Sequence, residues 1–409
     1  MLFCHVSINV SDLLKSIQRS MAVKKILFVI ESLNIGGMER VLVDIANMLV
    51  EKGHDVTIIT YMESKEENFI AELDERIHFI YREKRTFPIM SKLPYFHRKY
   101  RGNKWETRTS SKRMYRYYVG KRKKYDVEVA FYRGPSVKIV SGSPNKKSAK
   151  FAWVHNDYKL VNPKSITHFF TGMDDVKKAY KKFDKIVAVS EQARKNFVAT
   201  IGYEEKTTTI YNMISNNKIR EKAKEPCPGS KKRFTIISVG RLIEAKGYDM
   251  LLRVVKKLNK EGTEFDLWLV GTGRCEAELR KYAEENQLDN VKFWGQQLNP
   301  YAYMSKADLY VCSSWREGFS IVIAEAMACG LPILSTECTG PSEVLGFGEY
   351  GILIKNDENE MYRVLKEIIT DFPKKEYYKE KSLIRSKDFD EHEIIQQIEA
   401  LFFGKDNMK

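Results

Sequence analysis

The chain alternates between short, almost continuous apolar runs and longer stretches in which apolar residues return every three or four positions. The first clear run is residues 24–32, KKILFVIES, basic at its start and then apolar throughout. That is the pattern of a central strand in a parallel sheet covered on both faces. Asn34, Gly36 and Gly37 then form a tight loop, and residues 38–51 place Val41, Leu42, Ile45, Ala46 and Leu49 on one helical face. Gly53 ends that helix and residues 54–61, HDVTIITY, form the next strand. Strand, glycine turn, helix and strand make a βαβ unit with a right-handed crossover. Further strands are expected at 77–81, 125–132, 149–155, 184–190 and 207–211, so residues 23–217 read as one doubly wound domain.

Residues 222–232, KAKEPCPGSKK, carry two prolines, a glycine and many charges without periodicity. A linker is expected over 218–232. Strand and helix patterns then resume over 233–385, with strands at 233–240, 266–270, 291–294, 309–312 and 332–335. The fold class expected is α/β, with two facing Rossmann-like doubly wound parallel-sheet domains and an interdomain cleft at their strand C-termini. A length of 409 residues suits two domains rather than one.

Composition adds partners to this picture. A net charge of +15 calls for anionic ligands, whether nucleic acid, lipid headgroups or phosphorylated substrates. Six cysteines without paired spacing or nearby histidines imply reduced thiols, a cytoplasmic protein and no zinc site. No apolar run approaches the ~20 residues needed to cross a bilayer. Residues 1–22 lack a secretory pattern; they read either as a start assigned too early, with Met21 the natural first residue, or as an amphipathic anchor. Residues 82–124 are crowded with Lys, Arg and aromatics. They read either as a solvated face or as a surface for anionic lipid, with Trp105, Tyr115, Tyr117 and Tyr118 interleaved as an interfacial helix or a base-stacking surface would require.

Candidate chemistry concentrates in the turns after strands. In residues 313–330, SSWREGFSIVIAEAMACG, Glu317 and Glu325 stand with seven residues between them. Glu317 is expected in the loop ahead of a helix and Glu325 one or two turns inside it. A ligand along that N-terminus would meet a carboxylate at each end and the N–H groups of Gly318, Phe319 and Ser320 between them. Spacing alone equally allows an amphipathic helix with one glutamate favouring the dipole and another facing solvent. Arg241 and Lys246, after the strand at 233–240, suit a diphosphate beside a helix N-terminus. Gly271 and Gly273 form another glycine turn that serves either a ligand or close packing. His155 ends a strand where open sheets place ligands; Ser190 and Glu191 read as a helix cap and first turn. No acidic cluster suggests a metal.

Taken together, the segments VGRLIEAKG, LVGTGR, CSSWREGFSIVIAEAMACGLPILST and GPSEV, with IESLNIGGMERVL near the start, resemble the family 4 retaining glycosyltransferases of the two-Rossmann GT-B fold. The resemblance runs from about residue 24 through both domains, and the paired glutamates are its most specific part. It implies that Glu317 with Gly318, Phe319 and Ser320 holds the donor sugar and its phosphate, and that Glu325 holds the nucleotide ribose. Arg241 and Lys246 would clamp the diphosphate, Gly36 and Gly37 would let the first-domain loop approach donor and acceptor, and His155 would reach the transferred sugar. Residues 386–409 would cross back to the first domain, by way of the segment 394–403. Ser320, where many relatives have glycine, and Asn34 depart from the common pattern and bear on donor or acceptor preference.

The implied reaction is metal-independent and needs no cofactor. It moves a hexose or N-acetylhexosamine from a nucleotide sugar, UDP-linked, to a glycan or lipid-linked hydroxyl in bacterial surface polysaccharide synthesis, at the inner face of the plasma membrane. A UDP-sugar 2-epimerase of the same fold would require further carboxylates at the sugar ring. A nucleic-acid-binding protein would leave Arg241, Lys246, Glu317 and Glu325 without a task.

Overall fold

The computed structural model describes residues 23–64, 68–82, 109–121, 124–159, 161–167 and 169–404. The extension at 1–22 and much of the basic stretch, including Trp105, Arg122 and Lys123, lie outside the described residues. The first domain is built on a parallel sheet of β1 (Lys25–Ile30), β2 (Asp55–Thr60), β3 (His78–Tyr81), β4 (Val127–Ala130), β5 (Ala149–Val154), β6 (Lys185–Ala188) and β7 (Thr207–Thr209). Their spatial order is β3-β2-β1-β4-β5-β6-β7. Ile26 pairs with Val56 on one side and Val127 on the other, so chain order reverses at β1 and β4. From Ile26 to Ile30 β1 is wholly buried, as its apolar run requires.

The second domain repeats the plan with β8 (Thr235–Val239), β9 (Asp266–Val270), β10 (Val291–Gly295), β11 (Leu309–Cys312), β12 (Ile333–Thr336) and β13 (Ile352–Ile354). The order is β10-β9-β8-β11-β12-β13, with its reversal between β8 and β11. The sequence pattern stops at β12; β13 is only three residues long and offers too little alternation to stand out.

The chain passes between the domains twice, side by side. The Ile214 N–H donates to the Phe389 carbonyl at 2.8 Å and the Glu391 N–H to the Ile214 carbonyl at 3.0 Å. Beyond the first passage, helix Asn216–Ala223 is already tied to the second domain: Asn299 donates to the Lys222 carbonyl at 2.8 Å and Ser305 to that of Ala223 at 2.9 Å. The Cys227 carbonyl accepts from Lys306 at 3.2 Å. Residues 222–227 of the expected linker are thus held on the second domain, while Lys218 still reaches Asp44 and Glu72 of the first at 3.7 Å. After the second passage, helix Glu391–Phe403 lies on the first sheet, its Phe402 ring 4.9 Å from Phe151 and 6.0 Å from Trp153. Burying that one side chain is worth about 1.5–3 kcal/mol.

The basic stretch needs one correction. Tyr115 and Tyr118, on helix Ser111–Tyr118, are buried in the first core, Tyr115 donating to Glu128 at 3.1 Å. They are core residues and present no ring to a membrane or a base, whereas Lys112, Arg113 and Arg116 on the same helix are exposed. Among the described residues no helix is long and apolar enough to cross a membrane. Cys227, Cys275, Cys312, Cys329 and Cys338 are unpaired thiols.

Candidate active site

The two reversals of strand order face each other, and the loops that leave β1, β8 and β11 meet there. After β8 the chain makes a tight turn at Glu244–Lys246 and enters helix Tyr248–Lys260 through Gly247, at φ +64°. A side chain at Gly247 would strike the Ser313 carbonyl, 2.1 Å from its Cβ. That contact is part of a seam between the two loops: Trp315 N–H donates to the Ala245 carbonyl at 2.9 Å and Ser313 Oγ to that of Lys246 at 2.8 Å. The seam brings the Lys246 ammonium onto Glu317 Oε1 as an ion pair, with only 19% and 14% of the two side chains exposed. Ser314 Oγ also donates to Glu317, at 3.1 Å. Burial alone pulls the Lys246 ammonium down, but the Glu317 carboxylate outweighs it and holds Lys246 above its ordinary value.

Gly318, Phe319 and Ser320 carry the loop into helix Ile321–Ala328, with Ser320 in the left-handed region at φ 67°. This helix begins with no side-chain cap, as do those at Gly37 and Tyr248. The helices entered at Gly247 and Ser320 thus keep N–H donors for an anion at the cleft, whereas the Glu39 carboxylate folds back on the start of the Gly37 helix. Arg241 is exposed there, and it draws down the Glu39 carboxyl of the first domain, which burial has pushed up to about 7. Gly271 and Gly273 lie backbone to backbone against the Gly240 and Leu242 carbonyls, 2.0 and 2.2 Å from where their Cβ atoms would sit. Close packing by itself requires glycine at both positions.

Glu325, the fifth residue of helix Ile321–Ala328, is set apart from Glu317. It is buried, accepts from Tyr301 Oη at 2.8 Å, and its carboxyl is pushed up to about 7 by burial, against that hydrogen bond and the Arg40 charge. Arg40 comes from the first domain, where it makes a bidentate pair with Glu72 at 2.6 Å and lies 3.9 Å from Asp44. The crevice shared by Arg40, Asp44, Lys218, Tyr301 and Glu325 holds about 20 Å³.

The first domain closes directly on the Glu317 loop. A Cβ on Gly318 would lie 2.2 Å from the His155 carbonyl, and one on Gly37 would lie 2.7 Å from Ile321 Cγ2. His155 is half-buried, its ring packed beside Phe131 with centroids 4.7 Å apart, and desolvation of the imidazole pushes it down to about 3, so it is neutral. Its Nε2 is buried without a hydrogen-bond partner. A cavity of about 790 Å³ lies elsewhere, on the flank of the second domain between Ile243, Tyr248, Leu279, Tyr282, Trp315 and Arg316. It is lined by Ala245 and Trp315 from the same seam but by none of Arg241, Lys246 and Glu317.

The sequence-derived residues Gly36, Gly37, His155, Arg241, Lys246 and Glu317 to Ser320 therefore come together, and Glu325 stands one turn away. Sequence reasoning missed Glu39, Arg40, Tyr301 and Arg133. Arg133, just after β4, has a buried Nη1 with no hydrogen-bond partner; a cation directly after a strand at the reversal point was the available signal. Tyr301 carried none. Among the described residues no cluster of three or more His, Cys, Asp and Glu is placed to hold a metal ion.

Known proteins share this plan. Residues 35–218 match Glycosyltransferase Family 4 and residues 217–383 match Glycosyl transferases group 1. The chain is 33% identical over 229 residues to N-acetylgalactosamine-N,N'-diacetylbacillosaminyl-diphospho-undecaprenol 4-alpha-N-acetylgalactosaminyltransferase of Campylobacter jejuni. That alignment covers 55% of this chain and 61% of the relative, less than two thirds of its length. An uncharacterized glycosyltransferase of Haemophilus influenzae is 29% identical over 91% of this chain and 98% of its own. Among solved structures, HepE of Anabaena in complex with UDP and glucose superposes with a TM-score of 0.72 at 21% identity, over 93% of this chain and all of the other. WaaG, a glycosyltransferase involved in lipopolysaccharide biosynthesis, gives 0.64 at 16% identity, over 93% of this chain and all of that one. The architecture is the GT-B fold.

Proposed function

Because the chain belongs to the family 4 glycosyltransferases, we propose that it transfers a hexose or N-acetylhexosamine from a UDP-linked donor to a hydroxyl of a glycan or lipid-linked acceptor, with retention at the anomeric carbon. The observation that carries this reading is the convergence of Lys246, Glu317 and uncapped helix N-termini on one side of the cleft with the neutral, unpartnered His155 Nε2 on the other. Lys246, Arg241 and the N–H groups at Gly318 to Ser320 stabilise the departing diphosphate, the step that limits cleavage of a sugar–phosphate bond. Fixed cationic side chains can do this work, and the reaction proposed is metal-independent. Glu317 orients the sugar, His155 Nε2 meets one of its hydroxyls, and Glu325 is the group for the ribose, which enters only once the crevice of about 20 Å³ at Tyr301 and Arg40 widens. The acceptor hydroxyl attacks the face the diphosphate leaves, passing its proton to the leaving phosphate. Closure at Gly318 and His155 excludes water.

The UDP assignment draws on the UDP held by HepE, and the acceptor class on the diphospho-undecaprenol substrate named for the C. jejuni relative. A role in bacterial surface polysaccharide synthesis, at the cytoplasmic face of the plasma membrane, follows from the same comparison and from the exposed Lys112, Arg113 and Arg116. Proton NMR of the product formed from an α-linked UDP-sugar tests the reading. An α-configured product supports it; a β-configured product overturns the retaining mechanism.

A further inference from the structure

Resting on the transferase reading, we propose that Glu343 is a positioning residue for the donor loop. It caps a helix of the opposite domain only when the cleft is shut, and with Ser190 it fixes the backbone at Gly318 and Phe319 for catalysis.

Glu343 belongs to the second domain, in helix Thr339–Val344, and is 5% exposed. Its carboxylate reaches across to the first domain, accepting the Glu191 N–H at 2.7 Å and the Gln192 N–H at 3.1 Å. Tyr211 Oη donates to it at 2.9 Å. These are first-turn donors of helix Glu191–Ile201, and a carboxylate is what that end of a helix favours. The helix has a carboxylate of its own in that turn, but Glu191 is turned away to Arg194 and Thr209, each at 2.8 Å. Opening the cleft would leave both N–H groups without Glu343, while the Ser190 cap on Ala193 N–H, at 3.1 Å, stays within the first domain.

The same contact is tied to the reacting loop from both sides. Ser190 Oγ donates to the Gly318 carbonyl across the cleft at 3.1 Å. Gly340, in the helix of Glu343, lies against the loop so closely that its Cβ would stand 2.5 Å from Phe319 Cα. The Phe319 ring packs 5.7 Å from Tyr211 and 5.4 Å from Phe389, next to the two interdomain passages. Arg385 holds the Glu343 and Val344 carbonyls at 3.0 and 2.9 Å, so the backbone that carries the carboxylate is fixed from within the second domain. Closure, the helix cap and the position of Gly318 are thus one event.

The test uses the full chain as wild type, Glu343→Gln, Ser190→Ala and the double variant. Turnover of the UDP-sugar, UDP affinity by calorimetry and small-angle scattering with and without UDP are measured. Loss of the charge-assisted contact lowers kcat about tenfold or more in Glu343→Gln, and loss of the neutral Ser190 bond to the Gly318 carbonyl lowers it severalfold in Ser190→Ala. UDP, held by the second domain, keeps its Kd within about twofold, and the double variant falls no further than the weaker single. Wild type is compact with and without UDP, and Glu343→Gln is more extended in both. A Glu343→Gln protein with wild-type kcat, or one losing UDP affinity as steeply as kcat, overturns the proposal. If wild type neither binds UDP nor turns over any UDP-sugar, the transferase reading has failed first, and the positioning role falls with it.

Discussion

The Lys246 ammonium and the Glu317 carboxylate pair across two loops that leave the adjacent central strands β8 and β11. Each is the other's main electrostatic partner while the cleft is shut. On the proposed function, the donor diphosphate would compete with Glu317 for Lys246, and the sugar would compete with Lys246 for Glu317. Replacing Glu317 with Ala therefore lowers kcat by about 10²–10³-fold and leaves UDP affinity intact or higher, because it frees Lys246. Collapse of UDP affinity in that variant would reverse the assignment.

Lys246→Ala acts on the nucleotide. UDP affinity falls by roughly ten- to a hundredfold, the range of a charge-assisted contact to phosphate, while uridine is unaffected. Equal losses for both in calorimetry would place Lys246 away from the diphosphate.

Gly318→Ala separates closure from donor binding. The added methyl lies 2.2 Å from the His155 carbonyl, which is backbone and has little room to yield. The variant binds UDP but transfers sugar at about a hundredth of the wild-type rate or less, the loss expected when reacting groups are misplaced by an ångström. Wild-type turnover would show that catalysis does not use the closed arrangement.

Much of this arrangement was legible in the sequence because it is local. The apolar runs at β1, β9 and β11 and the turn residues Arg241, Lys246 and Glu317 are fixed by residues a few positions away. What was not legible depends on how two separately folded sheets dock. Ser190 and Gly318 are 128 residues apart, and Glu191 and Glu343 are 152 apart; no periodicity joins such pairs. Tyr115 and Tyr118 read as surface aromatics because Lys and Arg surround them in sequence, yet helical spacing turns them inward and the cations outward.

The Glu325 carboxyl titrates in the folded protein at about 7 against an ordinary value of 4.5. The folded state thus holds this proton more tightly than the unfolded chain. The contribution to stability is fully present below pH 4.5 and is lost as pH rises through 7, where the buried charge costs on the order of 3 kcal/mol. Glu325→Gln has no proton to lose, so its Tm gains on wild type across that window. A constant difference at all pH values would mean that Glu325 titrates normally.

The exposed Lys112, Arg113 and Arg116 share one helix in the described part of the basic stretch. Neutralising all three, together with Lys121 and Lys124, reduces co-sedimentation with phosphatidylserine vesicles, at ~1 kcal/mol per cation near an anionic surface. Unchanged binding would leave these residues as a solvated face.

The most direct test of the central claim is release of UDP from a panel of UDP-sugars by wild type and Lys246→Ala, with and without a polyprenyl-diphosphate glycan acceptor. The account predicts acceptor-stimulated UDP release from at least one hexose or N-acetylhexosamine donor by wild type, nearly abolished in Lys246→Ala. Absence of release from every donor, or equal release by both proteins, would contradict it.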